Sequence, residues 1–186
     1  MTLPNFNNPN KIKIAYIGIL AGGRFIKEVM EYVCKNKKYE LHIAGFGLLE
    51  EEVRRISEGN DNIIYYGKLK YQDTLALEEN CDLLFAIYNP NVKNHYYAAP
   101  NKFYESMMLG KPIIMARNTG LDHILEKYEI GYVIEYNYRA LEKLLDSLSM
   151  EELAKNKEKR QMLFNEKFSW SIMAQRLKSL YASINT

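Results

Sequence analysis

The sequence predicts an α/β fold: an open, parallel sheet with helices on both faces. Three observations carry this reading. Short apolar, β-branched runs alternate with amphipathic helical stretches through the 186 residues, the pattern of repeated βα units. Glycines recur just past the carboxyl ends of those runs, where tight βα turns belong. One run, Asp82 to Tyr88 (DLLFAIY), lacks any polar alternation, as a strand covered on both faces requires.

Each element can be read in order. Lys11 to Gly18 (KIKIAYIG) is a strand, and Ala21-Gly22-Gly23 turns into a helix that runs to about Lys35. Tyr39 to Gly45 is a second strand, followed by a charged amphipathic helix over Leu48 to Glu58. Asn62 to Gly67 is a third strand, and Tyr71 to Asn80 a helix. After the strand at Asp82 comes an Asn-rich loop, Asn89 to Tyr97, and then a short helix entered through Pro100 and closed at Gly110. Proline at a helix start and glycine just past its end are the expected punctuation. Ile113 to Ala116 is the next buried strand, Ile124 to Tyr128 a helix, and Tyr132 to Glu135 an edge strand. The remainder is predicted helical over 138–148, 150–166 and 169–183.

Composition narrows the function classes. A net charge of +2 with interleaved Lys and Asp/Glu disfavours a nucleic-acid partner. Cys34 and Cys81 stand far apart, the usage of reduced thiols in a cytoplasmic protein. No apolar run approaches the ~20 residues of a membrane span. His42, His95 and His123 have no Cys or carboxylate at ligand spacing, so no metal is expected; of the three, His95 reads as a surface residue. A nicotinamide cofactor is also not expected, because Ile17 to Ile26 lacks Gly-x-Gly-x-x-Gly spacing and the second strand ends without an acidic residue.

What remains is an anion site. Gly18, Gly22, Gly23, Gly45, Gly47 and Gly67 all follow strand ends, and in an open α/β sheet that edge binds ligands. Arg24, at the start of the first helix, could clamp a diphosphate with parallel hydrogen bonds. Lys102 and the amides of Asn101 to Phe103 open a second helix toward the same edge.

The order of these segments resembles the C-terminal, donor-binding half of a GT-B glycosyltransferase of the large retaining family often called family 4, or group 1. The collinear set comprises Ala15 to Arg24, Ile43-Ala44-Gly45-Phe46-Gly47, Tyr65-Tyr66-Gly67 and Cys81-Asp82-Leu83-Leu84. It continues through Lys102 to Pro112, Gly120 to Leu125, Gly131-Tyr132-Val133 and Phe168-Ser169-Trp170. The resemblance implies a Rossmann-like half-domain over residues 11–186 that binds a UDP- or GDP-sugar without a metal or other cofactor. It implies that Glu105 accepts the ribose hydroxyls and that Arg24, with Lys102, stabilises the departing diphosphate. Gly67, Lys68 and Leu69 would border the base, and Gly22, Gly23, Tyr97, Asn101 and Phe103 would line the site.

Two positions depart from the family pattern. Tyr97 stands where the first Glu of the Glu-x7-Glu motif would fall, and Ile19 where the first of two basic residues would. Thr2 to Phe6 resembles the family's interdomain linker, so residues 1–10 are expected to be a linker remnant and the acceptor-binding domain to be missing. An isolated domain of this kind is expected to bind donor and not to transfer. The family role is surface polysaccharide assembly at the inner face of a membrane, with peripheral association of the full-length enzyme. Two alternatives stay open, a nucleotide-sugar epimerase of the same architecture and a non-catalytic nucleotide-binding scaffold.

Overall fold

The computed structural model describes residues 10–184. Apart from Asn10, the expected linker remnant lies outside them. Six parallel strands form one sheet in the order β3-β2-β1-β4-β5-β6. They are β1 (Ile12–Ile19), β2 (Tyr39–Phe46), β3 (Ile63–Tyr65), β4 (Leu83–Ala86), β5 (Ile113–Ala116) and β6 (Tyr132–Ile134). The helices are α1 (Ile26–Lys35), α2 (Glu50–Glu58), α3 (Tyr71–Glu79), α4 (Lys93–Tyr96), α5 (Asn101–Leu109) and α6 (Asp122–Tyr128). They continue with α7 (Tyr138–Ser147), α8 (Met150–Ala154), α9 (Lys157–Leu163) and α10 (Trp170–Ile184). The strand order reverses between β1 and β4, which opens a crevice at their carboxyl ends.

Alternation along the strands divides the core into two layers. Ile12, Ile14 and Tyr16 of β1, with Leu83 and Phe85 of β4, pack under Val29 and Val33 of α1 and Leu141 and Leu145 of α7. Ala15, Leu84 and Ala86 face the other way, against Leu77 of α3, Phe103 and Met107 of α5, and Leu163 of α9. The Rossmann-like sheet is therefore covered on both faces, as the apolar runs predict.

Three local features differ from expectation. The Asn-rich loop contains a short helix, α4, whose His95 is buried rather than exposed. The single helix expected over 150–166 is broken at Asn156, which takes φ 62° and donates its side-chain amide to Glu129 O at 3.3 Å. Asparagine tolerates the left-handed region, so the break needs neither Gly nor Pro. A π-helical turn over Phe164–Phe168 then leads into α10.

The strand-end glycines serve two different ends. A Cβ on Gly45 would collide with the Gly18 carbonyl, at φ 143°, so this glycine is required by the close approach of β1 and β2. Gly22 and Gly67 have open space where a Cβ would stand. Gly45→Ala is expected to destabilise the fold by at least about 3 kcal/mol, read as a fall in the urea midpoint. Gly22→Ala gives a smaller change in the same measurement.

Candidate functional site

The crevice between β1 and β4 gathers charge from three segments. Arg24 does not begin α1 as expected. It sits in the turn two residues before it, with its guanidinium carbon 4.0 Å above the Tyr88 ring. That cation–π contact holds the guanidinium against the ring. The turn is pinned from across the crevice, because the Asn89 amide donates to Gly23 O at 2.9 Å. His95 completes the pin: its ring lies 5.2 Å from that of Tyr88 and its Nδ1 is 3.1 Å from Asn89 O. The buried position of His95 is thus structural.

Lys102 enters from the second residue of α5. Its Nζ donates to Ile17 O at 2.7 Å, lies 4.7 Å from the Tyr16 ring centroid, and would be 3.1 Å from a Cβ on Gly18. The ammonium therefore plugs the end of β1 and is only 7% exposed. Burial pushes its pKa down to about 8, against the pull of Glu78 and Glu105, while the Arg24 charge pushes it further down. Glu105 lies one turn along α5 and is buried too. Burial raises its carboxyl pKa, opposed by the Lys102 charge and by a hydrogen bond from the Tyr71 hydroxyl.

Glu78, near the end of α3, has no counterpart among the residues expected from sequence. It is fully buried, and both carboxylate oxygens lack a hydrogen-bond partner. Burial first, and then the Glu105 charge, push its pKa up to about 8. Below that pH Glu78 is protonated, so two cations face at most one carboxylate. Such a cluster favours an anion. The one trace of Glu78 in the sequence is its place beside Leu77 on the inner face of α3, which reads equally as a solvated Glu-Glu pair.

The other expected residues spread around this centre. Gly67 closes β3, its carbonyl accepting the Gly45 amide at 2.8 Å. Lys68 is exposed, with Nζ 4.9 Å from the Phe46 ring, and Leu69 packs at the edge of the core layer that holds Leu77 and Phe103. Asn101 is exposed at the head of α5. The Phe103 ring is in the core, and its amide donates to Pro100 O at 3.0 Å, so neither is open to a ligand. Tyr97 is 73% exposed and pairs edge-on with Tyr96. Ile19 is 56% exposed at the end of β1. Among the described residues no group of His, Cys, Asp and Glu is placed to hold a metal ion, and no helix is long and apolar enough to cross a membrane.

A model of the glycosyl transferases of group 1 matches residues 6–169. The chain belongs to the group 1 glycosyltransferases. None of the curated protein sequences matches it. Among solved structures, the group 1 chain is similar to TarM, with 21% identity and a TM-score of 0.68 over 91% of this chain and 35% of that one. It is similar to Anabaena Alr3699/HepE in complex with UDP and glucose, with 13% identity and a TM-score of 0.75 over 94% and 49%. WaaG, a glycosyltransferase involved in lipopolysaccharide biosynthesis, shares 15% identity and a TM-score of 0.69 over 90% and 46%. The chain thus spans about a third to a half of the length of these proteins. The likenesses establish the GT-B half-domain fold.

Proposed function

We propose that this chain binds a nucleoside-diphosphate sugar in the β1/β4 crevice, as the donor half of a metal-independent glycosyltransferase. The observation that carries the reading is the convergence of Arg24 and Lys102 on the end of β1, with Glu105 on the same helix as Lys102. In glycosyl transfer, negative charge builds on the departing diphosphate. Fixed cations that meet it there lower the barrier. Glu105 is the acceptor for vicinal ribose hydroxyls, since a carboxylate can take two at once. Arg24 and Lys102 are the groups that meet the diphosphate, and the Gly67–Leu69 loop borders the base.

UDP is favoured over GDP as the carrier because HepE, a structural neighbour, is described in complex with UDP and glucose. Transfer to a glycan or lipid-linked acceptor in surface polysaccharide assembly is part of the same proposal, supported by the role of WaaG in lipopolysaccharide biosynthesis. In this reading the acceptor is held by a second half-domain, and the 186-residue chain alone binds donor without transferring it. A nucleotide-binding domain without catalysis is the second reading, favoured by the exposed Ile19 where a clamping cation would stand. Isothermal titration with UDP and GDP tests the shared claim, and no heat with either nucleotide defeats both readings. Glycosyl transfer by the chain joined to an acceptor domain separates them.

The anion site also predicts a pH dependence. As pH rises through about 8, Lys102 loses its proton and Glu78 becomes ionised. Both changes remove positive charge from the crevice, so UDP affinity is expected to be highest below pH 8 and to fall above it. Titration on both sides of that value is the check. A flat profile, or one rising with pH, removes Lys102 from the diphosphate site.

A further inference from the structure

Helix α3 departs from the pattern of a helix that lies on a sheet. Its inner face should be apolar, and Leu77 follows that rule, packed in one core layer with Phe103 and Met107 of α5. Tyr71 and Glu78 do not. They stand seven residues apart, about two turns, and so share a face of α3. Both act on the charged residues of α5. Glu78 is a fully buried carboxyl beside Glu105 and Lys102. Tyr71 donates its hydroxyl to the Glu105 carboxylate.

The Tyr71 bond has a place and a direction. Tyr71 opens α3 straight after the Gly67–Lys70 stretch, and the Thr74 amide on Lys70 O, at 2.9 Å, starts the helix around it. The residue is 61% exposed, while Glu105 is only 7% exposed. The bond therefore lies at the surface of the packed helices and not within the core. Among the described residues Tyr71 is the only side chain that hydrogen-bonds the Glu105 carboxylate. Lys102 acts on Glu105 through its charge, and its Nζ donates to Ile17 O. Charge alone leaves a carboxylate free to rotate, whereas a hydrogen bond sets its plane. Burial and the Glu105 charge raise the Tyr71 pKa, so the hydroxyl keeps its proton and remains a donor. A carboxylate has about four acceptor directions. Tyr71 takes one and leaves room for a pair of hydroxyls.

We propose that Tyr71 is a positioning residue for the donor's ribose: its hydroxyl fixes the plane of the Glu105 carboxylate so that two vicinal hydroxyls meet it together. The inference rests on the donor reading above. Calorimetric titration of the full chain with UDP and with deoxy-UDP, which lacks one ribose hydroxyl, tests it. The parent chain is expected to prefer UDP by about tenfold, the scale of a hydroxyl on a carboxylate. Tyr71→Phe removes only the phenolic hydroxyl. It is expected to cut the preference to about twofold, by weakening UDP more than deoxy-UDP. Added to Glu105→Gln it is expected to change the preference no further, because both act through one carboxylate. In the protein alone, Tyr71→Phe is expected to raise the Glu105 pKa, read by NMR, since a bond that favours the ionised form is lost. An unchanged urea midpoint shows that the variant keeps its fold. If Tyr71→Phe retains the full preference, weakens both nucleotides alike or leaves the Glu105 pKa unmoved, the inference is overturned and the donor reading stands. A parent chain that binds both nucleotides alike removes Glu105 from the ribose and this inference with it. One that binds neither defeats the donor reading as a whole.

Discussion

Replacing Arg24 with alanine is expected to lower the affinity for UDP by about 10- to 100-fold, the scale of losing hydrogen bonds between charged groups. The expectation follows from how the side chain is held. Its guanidinium carbon lies 4.0 Å from the Tyr88 ring centroid, in a turn fastened by the Asn89 amide on Gly23 O. The group is in position before any ligand arrives, and truncation removes both charge and fork. Arg24→Lys keeps the charge but not the paired donors, so it is expected to recover only part of the loss. Calorimetric titration measures both variants, and an unchanged urea midpoint shows that the fold survives. UDP affinity within twofold of the parent in Arg24→Ala would falsify the placement of the diphosphate.

The second large effect lies at the opposite edge of the sheet. Arg160 of α9 is buried, and its Nε donates to Ile130 O at 2.9 Å while Nη1 donates to Gly110 O at 3.2 Å. Gly110 ends α5, and Ile130 follows the end of α6. One cation thus satisfies two buried carbonyls, one at the end of α5 and one just past the end of α6. Arg160→Ala leaves both carbonyls buried without a donor. The expected loss is about 3–5 kcal/mol of unfolding free energy, measured by urea denaturation. Arg160→Lys can reach one carbonyl and is expected to fall between the two. A loss below about 1 kcal/mol would show that water replaces the guanidinium freely.

All six strands were legible in the sequence, because a buried parallel strand is a dense apolar run with glycine after it. The breaks in the C-terminal helices were not. Helical periodicity continues across Asn156, and nothing in the local pattern shows that Glu129 O will draw that side chain into a left-handed turn. The Asn89–Tyr97 segment reads as a loop for a similar reason, since the folding back of His95 onto Tyr88 and Asn89 leaves no periodic pattern in so short a helix. The nearness of Arg24, Lys102 and Glu105 to one another was legible through their collinear motif. Their electrostatics were not, because Glu78 belongs to another helix and its burial depends on how α3 lies against α5. Phe103 shows the converse: a residue in the right motif whose ring is spent on the core.

The bond from Asn89 to Gly23 ties the two sides of the crevice together within the protein itself. A ligand entering there meets a mould that has already set, so little of its binding free energy is consumed in ordering the loop before Arg24. Discrimination then falls on size and charge at the threshold rather than on closure afterwards. On the proposed donor reading, a nucleotide that does not fit would be turned away without any change of shape in the turn before α1.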